Sequence, residues 1–144
     1  MKKKPTDKVK TIMTSSPVTV NEVTPVSEVS HILSRSKFSH LPVVRNNMVV
    51  GIISTSDLLA SAFFDSAKDR NLDSKALTAY LDQNYKLTDI MTKNVACIKD
   101  HDTVRDAAKI FENENYHCLP VVDAKDEVVG ILTTSDLARF IRQL

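Results

Sequence analysis

Two stretches of the sequence are nearly identical: residues 49–58 read Val-Val-Gly-Ile-Ile-Ser-Thr-Ser-Asp-Leu, and residues 128–137 read Val-Val-Gly-Ile-Leu-Thr-Thr-Ser-Asp-Leu. The two glycines of the chain, Gly51 and Gly130, occupy the same place in each. In both stretches an apolar run reaches Ser or Thr, and Asp follows three residues later. This pattern is typical of a strand that leads directly into a helix.

Two further blocks recur in the same order. Leu-Pro-Val-Val stands at 41–44 and again at 119–122, and Ile-Met-Thr stands at 12–14 and again at 90–92. These blocks are shifted by 78 residues and the glycines by 79, so one extra residue lies in the second copy. We place it in 123–127, a predicted hairpin loop, where insertions are tolerated. Three ordered blocks predict an internal duplication.

The repeat divides the chain into three parts. Residues 1–60 form the first repeat with its N-terminal segment, 61–85 form a connector, and 86–144 form the second repeat. The connector has helical spacing at Leu77, Tyr80 and Leu81, with Asp73 as the candidate N-cap. We therefore predict a helical connector.

Each repeat has the pattern of a βαββα unit, so the predicted fold class is α+β. In the first repeat we predict a strand at 17–20, followed by a helix with Thr24 as its N-cap and Pro25 as its first residue. Two further strands, at 41–44 and 48–53, are joined by a turn at 45–47, and a second helix begins at Ser54. In the second repeat we predict a strand at 95–98 and a helix from Asp102.

Each repeat is expected to form a three-stranded sheet with helices on one face. Because the paired strands are apolar on successive residues, we expect the two sheets to pack on each other about a pseudo-twofold axis and to create two equivalent clefts.

Composition argues against several classes of protein. The chain has 144 residues, 42% of them hydrophobic, and a formal net charge of +1, so neither disorder nor nucleic-acid binding is indicated. The run Lys2–Lys4 is expected to be a frayed, solubilising start. No apolar run is long enough for a membrane span, and no signal peptide is apparent, so we expect a cytoplasmic protein with reduced cysteines.

The start of each last helix is the candidate binding site. Free backbone N–H groups near Ser54 and Thr133 can hold an anion. The carboxylates of Asp57 and Asp136 accept hydrogen bonds and suit the paired hydroxyls of a ribose. The same Ser/Thr-x-x-Asp spacing is also that of a capping box, which needs no ligand.

A second group precedes each Leu-Pro-Val-Val block. It is Phe38-Ser39-His40 in the first repeat and Tyr116-His117-Cys118 in the second. Either aromatic ring can lie against an adenine or complete the core, and His117 is a candidate phosphate contact. A metal or thiol site at Cys97, His117 and Cys118 is an alternative, although the paired spacing of a zinc site is absent.

These ordered, duplicated motifs resemble a pair of CBS domains, the Bateman module. The resemblance implies a regulatory module, usually a homodimer that forms a disk of four repeats, which binds AMP, ADP, ATP, S-adenosylmethionine or NAD. We predict no required cofactor, no catalytic residue and no metal, and we expect neither a membrane nor a nucleic acid as a partner. The binding residues that it implies are Val18, Thr19, Phe38, Ser39, His40, Pro42, Ser54 and Asp57 in the first repeat, and Ala96, Cys97, Tyr116, His117, Cys118, Pro120, Thr133 and Asp136 in the second.

The sequence departs from the family at one position of each signature. The family often has Lys or Arg immediately before the signature Asp, whereas this chain has Ser56 and Ser135. The absence of these two cations disfavours a triphosphate ligand. Arg139 can compensate in the second repeat, whereas the first repeat has Ala60 at the corresponding position. The alternative function is a structural or protein-interaction module that dimerises and binds no ligand. An enzyme is disfavoured, because no nucleophile–base pair and no Gly-rich phosphate loop is present.

Overall fold

A computed structural model of the protein describes residues 2–60 and 74–144. The described chain forms two compact units: unit 1 comprises Met1–Pro17 and Ala96–Leu144, and unit 2 comprises Val18–Val95. Along the sequence, the residues of unit 2 therefore stand between the two segments of unit 1. The units differ from the division by repeats, because the N-terminal segment packs with the strands of the second repeat.

Short strands and helices follow one another along both repeats. After a 3-10 helix at Val9–Thr11, they are β1 (Thr14–Ser15), β2 (Val20–Asn21), α1 (Val26–Arg35), β3 (His40–Arg45), β4 (Met48–Ser54), α2 (Thr55–Leu58), α3 (Ser74–Asn84), α4 (Leu87–Ile90), β5 (Ile98–Lys99), α5 (Val104–Asn113), β6 (Cys118–Val122), β7 (Val128–Thr133) and α6 (Thr134–Arg142). The predicted βαββα order is confirmed in both repeats.

Unit 2 contains the predicted three-stranded sheet, in the order β2-β3-β4. β2 runs parallel to β3 after the crossover through α1, and β3 and β4 form an antiparallel hairpin. The hairpin turns at Asn46 and Asn47, which both have positive φ (50° and 62°), a conformation that Asn tolerates well. The first strand begins later than predicted, at Val20.

The core of unit 2 lies between this sheet and α1. The predicted stripe of Val26, Val29 and Leu33 is buried, as are Leu41 and Ile53 on the hairpin. Burial of such side chains is the main driving force for folding.

The predicted start of α1 is wrong by one residue and in its cap. Pro25 is the N-cap, and the hydroxyl of Thr24 accepts a hydrogen bond from the backbone N–H of Asn21 instead. The cap comes from α3: the Asp82 carboxylate accepts from the backbone N–H of Ser27 at 2.9 Å and from its hydroxyl at 2.5 Å. The helical connector is thus confirmed over Ser74–Asn84, whereas Asp73 lies outside the described residues.

Unit 1 contains a four-stranded sheet in the order β1-β7-β6-β5, one strand more than predicted. The added strand is β1, which pairs antiparallel with β7 through Thr14–Ile131 and Ser15–Gly130. α5 begins at Val104, two residues later than the predicted start at Asp102, and Thr103 is its N-cap. The core of unit 1 includes Val9, Ala107, Leu119, Leu132 and Phe140.

Candidate functional site

The signature of the first repeat forms a complete capping box in unit 2. The Ser54 hydroxyl accepts from the Asp57 backbone N–H at 3.0 Å, and the Asp57 carboxylate accepts from the Ser54 backbone N–H at 3.0 Å. Ser54 is the last residue of β4 and has an extended conformation (φ −117°, ψ 162°). The side chain of Ser54 therefore turns back over the first turn of α2. The capping interpretation is confirmed for this repeat.

The signature of the second repeat forms the same box in unit 1, with two additional contacts. The Asp136 Oδ2 accepts from the Thr133 backbone N–H at 2.9 Å and from its hydroxyl at 3.0 Å, while Oδ1 accepts from Arg139 Nη1 at 3.2 Å. Asp136 is 7% exposed, so this buried carboxylate accepts hydrogen bonds on both of its oxygens. Arg139, the candidate phosphate cation, lies with its guanidinium on Asp136.

A third capping box stands at the start of α5, where no ligand was predicted. Thr103 and Asp106 exchange the same two hydrogen bonds, at 3.0 and 3.1 Å. The hydrogen bonds from Thr103 lower the pKa of Asp106, and the nearby Lys109 and Lys8 act in the same direction. The Thr-x-x-Asp spacing was the signal by which the sequence could have revealed it. Because this box occurs outside the duplicated signature, a capping box by itself does not identify a binding site.

The residues before each Leu-Pro-Val-Val block lie beside the helix start of their own unit. In unit 2 the Thr55 backbone N–H donates to the Ser39 carbonyl at 3.0 Å, and in unit 1 the Thr134 backbone N–H donates to the His117 carbonyl at 3.1 Å. These two bonds are equivalent in the repeats. Each unit therefore brings its candidate tripeptide to its Ser/Thr-x-x-Asp signature.

Pairing of the strands brings further candidates together. His40 is opposite Ser54 in the β3–β4 hairpin, and Cys118 is opposite Thr133 in the β6–β7 hairpin. Ser39 Oγ lies 3.0 Å from His40 Nδ1, whereas the side chain of His117 is exposed.

The two aromatic candidates have different environments. Tyr116 is half-buried and packs against the core of unit 1, which supports the core interpretation for this ring. Phe38 is 37% exposed. An exposed phenyl ring costs hydrophobic free energy, so Phe38 is the better candidate for contact with a ligand ring.

The remaining candidates belong to the strands. Val18 and Thr19 precede β2, and Ala96 and Cys97 precede β5, so all four stand at the entry to a sheet. Pro42 and Pro120 are buried within β3 and β6, which limits them to shaping the site.

Neither Cys97 nor Cys118 forms a disulfide. Burial, together with the negative charge of Asp136, raises the pKa of the Cys118 thiol to about 12. Burial, then the charge of Asp126, raises the pKa of Cys97, opposed by Lys99. Since the thiolate is the form that binds metals, Cys118 is a poor ligand at neutral pH. Over residues 2–60 and 74–144, no group of three His, Cys, Asp or Glu side chains has the arrangement of a metal site.

Two cavities have linings that include none of the candidate residues. One, of about 470 Å³, is in unit 2 between residues 22–26 and 82–88. The other, of about 430 Å³, is in unit 1 along residues 2–11. Within the described part of the chain, no helix is both long and apolar enough to cross a bilayer.

Comparison with known proteins gives a consistent result. The CBS domain family matches the chain twice, at residues 9–63 and 87–143. The crystal structure of CBSX2 of Arabidopsis thaliana in complex with AMP superposes with a TM-score of 0.74 at 29% identity, covering 94% of this chain and 96% of that chain. The CBS domain pair of protein MJ0100 in complex with 5′-methylthioadenosine and S-adenosyl-L-methionine superposes with a TM-score of 0.75 at 29% identity, covering 96% of this chain and 98% of that one.

A curated relative is a larger protein. Homoserine O-acetyltransferase of Methanocorpusculum labreanum is 30% identical over 130 residues, which are 90% of this chain and 23% of that protein. The chain thus spans about a quarter of the length of this acetyltransferase. Both repeats match the same family, and the repeats together make up most of the chain. The chain therefore belongs to the CBS domain family.

Proposed function

We propose that the chain is a regulatory module that binds an adenosyl ligand at its Ser/Thr-x-x-Asp helix starts. AMP is the first candidate for this ligand. The observation that carries the proposal is the juxtaposition in unit 1 of His117, Cys118, Thr133 and Asp136 by one backbone hydrogen bond and one strand pair. Similar CBS domain pairs hold AMP, or 5′-methylthioadenosine and S-adenosyl-L-methionine. A buried carboxylate next to helix N–H groups suits a ribose diol and an anion.

The site in unit 1 is proposed to bind more tightly than the site in unit 2. Asp136 is buried and has Arg139 beside it, whereas Asp57 is half-buried and has Ala60 at the position of Arg139. Ribose hydroxyls that hydrogen-bond to Asp136 Oδ1 would replace the guanidinium of Arg139. The released cation is then available to the phosphate, because it lies one helical turn from the signature.

Calorimetric titration with AMP, ATP, NAD, S-adenosylmethionine and 5′-methylthioadenosine tests the proposal. We expect heat from at least AMP. At the helix starts we expect ATP to bind more weakly than AMP, because Ser56 and Ser135 stand where related proteins often have a cation. A folded chain that gives no heat with any of the five contradicts the proposal.

Two alanine variants separate binding from capping. Asp136→Ala and Asp106→Ala each remove the carboxylate of a capping box in unit 1, and each is expected to cost about 1 kcal/mol of unfolding free energy. Only Asp136→Ala is expected to weaken AMP binding, by about tenfold or more. Equal loss of affinity in both variants would support a purely structural role for the signature.

A structural module is the second candidate, because all three boxes are complete without a ligand. Such a module is expected to retain its partner or its dimer whether or not AMP is present. Native mass spectrometry with and without AMP compares the two functions and also tests the predicted homodimer. A mass increment of one or two AMP molecules favours the regulatory module.

A further inference from the structure

The N-terminal lysines are part of the folded structure of unit 1. Residues 2–10 contain five lysines and one aspartate, a net charge of +4 in a chain whose formal net charge is only +1. The rest of the chain is therefore acidic overall. Such an asymmetry indicates a local binding surface for an anion.

Backbone hydrogen bonds hold this segment against the start of α5. The backbone N–H groups of Val104 and Arg105 donate to the carbonyls of Asp7 and Pro5 at 2.9 and 3.0 Å, and the Val9 N–H donates to the Asp102 carbonyl at 2.8 Å. Val9 is fully buried. Residues 5–9 therefore belong to the folded unit, because they provide carbonyls for the first N–H groups of α5 and a side chain for the core. These bonds do not test the frayed start expected at Lys2–Lys4.

The segment also shapes a concave site. Its cavity of about 430 Å³ is lined by the lysines at 2, 3, 4 and 8, by Thr6 and Thr11, and by Asp7 as its carboxylate. Asp7 accepts from the Lys4 backbone N–H at 3.1 Å, and the Thr11 hydroxyl donates to the Lys8 carbonyl at 2.7 Å. These local bonds fix the backbone at Lys4 and Lys8.

We propose that this cavity binds a compact phosphate-rich anion, such as the triphosphate group of a nucleotide or an inorganic polyphosphate. Four lysines that line one small concave site match the charge of such an anion. The volume falls within the range of small-ligand sites, whereas a duplex or a bilayer needs an extended basic surface. The cavity is separate from the signature residues, so this proposal does not depend on the proposed function.

Titration of the full chain with sodium tripolyphosphate in low-salt buffer tests the proposal. K2Q/K3Q/K4Q is expected to weaken binding by roughly tenfold to a hundredfold, since each exposed ion pair contributes modestly. K37Q/K93Q/K125Q removes the same charge from exposed lysines elsewhere and is expected to change binding less than about twofold. Equal losses in the two variants would show diffuse attraction and overturn the proposal.

Further arms identify the site and the source of the anion. Arg139→Gln reports on the helix start of α6. If this variant loses tripolyphosphate binding while the N-terminal variant retains it, the anion binds at that helix start and the proposal is overturned. ATP binding that depends on Lys2–Lys4 supports a nucleotide triphosphate as the source, and binding of inorganic tripolyphosphate alone supports a free polyphosphate. Tighter binding of a uridine oligonucleotide or of phosphatidylserine vesicles than of tripolyphosphate would contradict a compact anion.

Discussion

Met13 and Gly130 lie so close in unit 1 that no side chain fits between them: a Cβ on Gly130 would be 2.4 Å from Met13 Sδ and 3.0 Å from the Thr14 carbonyl oxygen. The equivalent pair in unit 2 is Met91 and Gly51, with a corresponding distance of 2.5 Å. The glycine and the methionine therefore recur together because each Ile-Met-Thr segment covers a glycine on the second strand of a hairpin.

Gly130→Ala is expected to destabilise the protein by about 1 to 3 kcal/mol, because a Cβ overpacks this contact. Denaturant unfolding monitored by circular dichroism measures the loss. Adding Met13→Ala should restore part of the stability and not all of it, since the Thr14 carbonyl remains. Ser135→Ala, at an exposed position of α6, is the control and should change stability by less than about 0.5 kcal/mol. A neutral Gly130→Ala would contradict the close contact.

Asp82→Ala is expected to cost about 1 to 2 kcal/mol, because α1 loses the side chain that caps its first turn. Hydrogen exchange should show faster exchange of the Ser27 amide, which donates to that carboxylate. Asp89→Ala is the matched control: Asp89 is also an exposed helical carboxylate of unit 2, and its loss should leave the Ser27 amide unchanged. Equal protection of Ser27 in both variants would argue against a cap supplied by α3.

The raised pKa of the Cys118 thiol leads us to expect that the protein loses stability in alkaline solution. The pKa of Cys118 is raised to about 12 in the folded protein, from an ordinary value of 9.0. Between pH 9 and about pH 12 the unfolded chain binds fewer protons at Cys118 than the folded chain does. The contribution of Cys118 to the free energy of unfolding is therefore complete below pH 9 and falls as the pH rises through this range. The slope reaches at most about 1.4 kcal/mol per pH unit.

Unfolding of wild type and Cys118→Ala at pH 8, 9 and 10 measures this slope. Both proteins retain Cys97, whose pKa is also raised, so the difference between their slopes isolates Cys118. We expect the wild type to lose stability more steeply above pH 9. Parallel slopes would show that Cys118 ionises as easily in the folded state as in the unfolded state.

The sequence predicts the elements that carry their own pattern. The β3–β4 and β6–β7 hairpins follow from apolar runs and a turn, and α1 follows from a stripe of buried residues at helical spacing. β1 was missed because a two-residue strand has no periodicity and its partner, β7, lies more than a hundred residues away. The cap from Asp82 was missed for the same reason: it joins two helices through residues that are 55 positions apart in sequence.

In the candidate site, too, the sequence predicts the features that have a pattern of their own and misses those that depend on side-chain conformation or packing. Sequence reasoning found the signature residues and the tripeptides beside them, since both recur. It did not find the ion pair between Asp136 and Arg139, because an i, i+3 pair is one of several rotamers open to a long side chain. Nor did it show that Lys2–Lys4 line a cavity, which depends on the packing of residues 5–9 against α5.

Val9→Ala tests whether the N-terminal segment is part of the core of unit 1. Val9 is fully buried in the cluster that includes Ile98, Val104 and Leu119, whereas Val23 is 82% exposed. Val9→Ala is therefore expected to cost about 2 kcal/mol or more, and Val23→Ala less than about 0.5 kcal/mol. Hydrogen exchange should rise in β6 and β7 more than in β3 and β4, because Val9 belongs to the core cluster of unit 1. Similar stability of the two variants would mean that residues 1–17 contribute little to unit 1, and an equal rise in both hairpins would mean that the two units unfold as one.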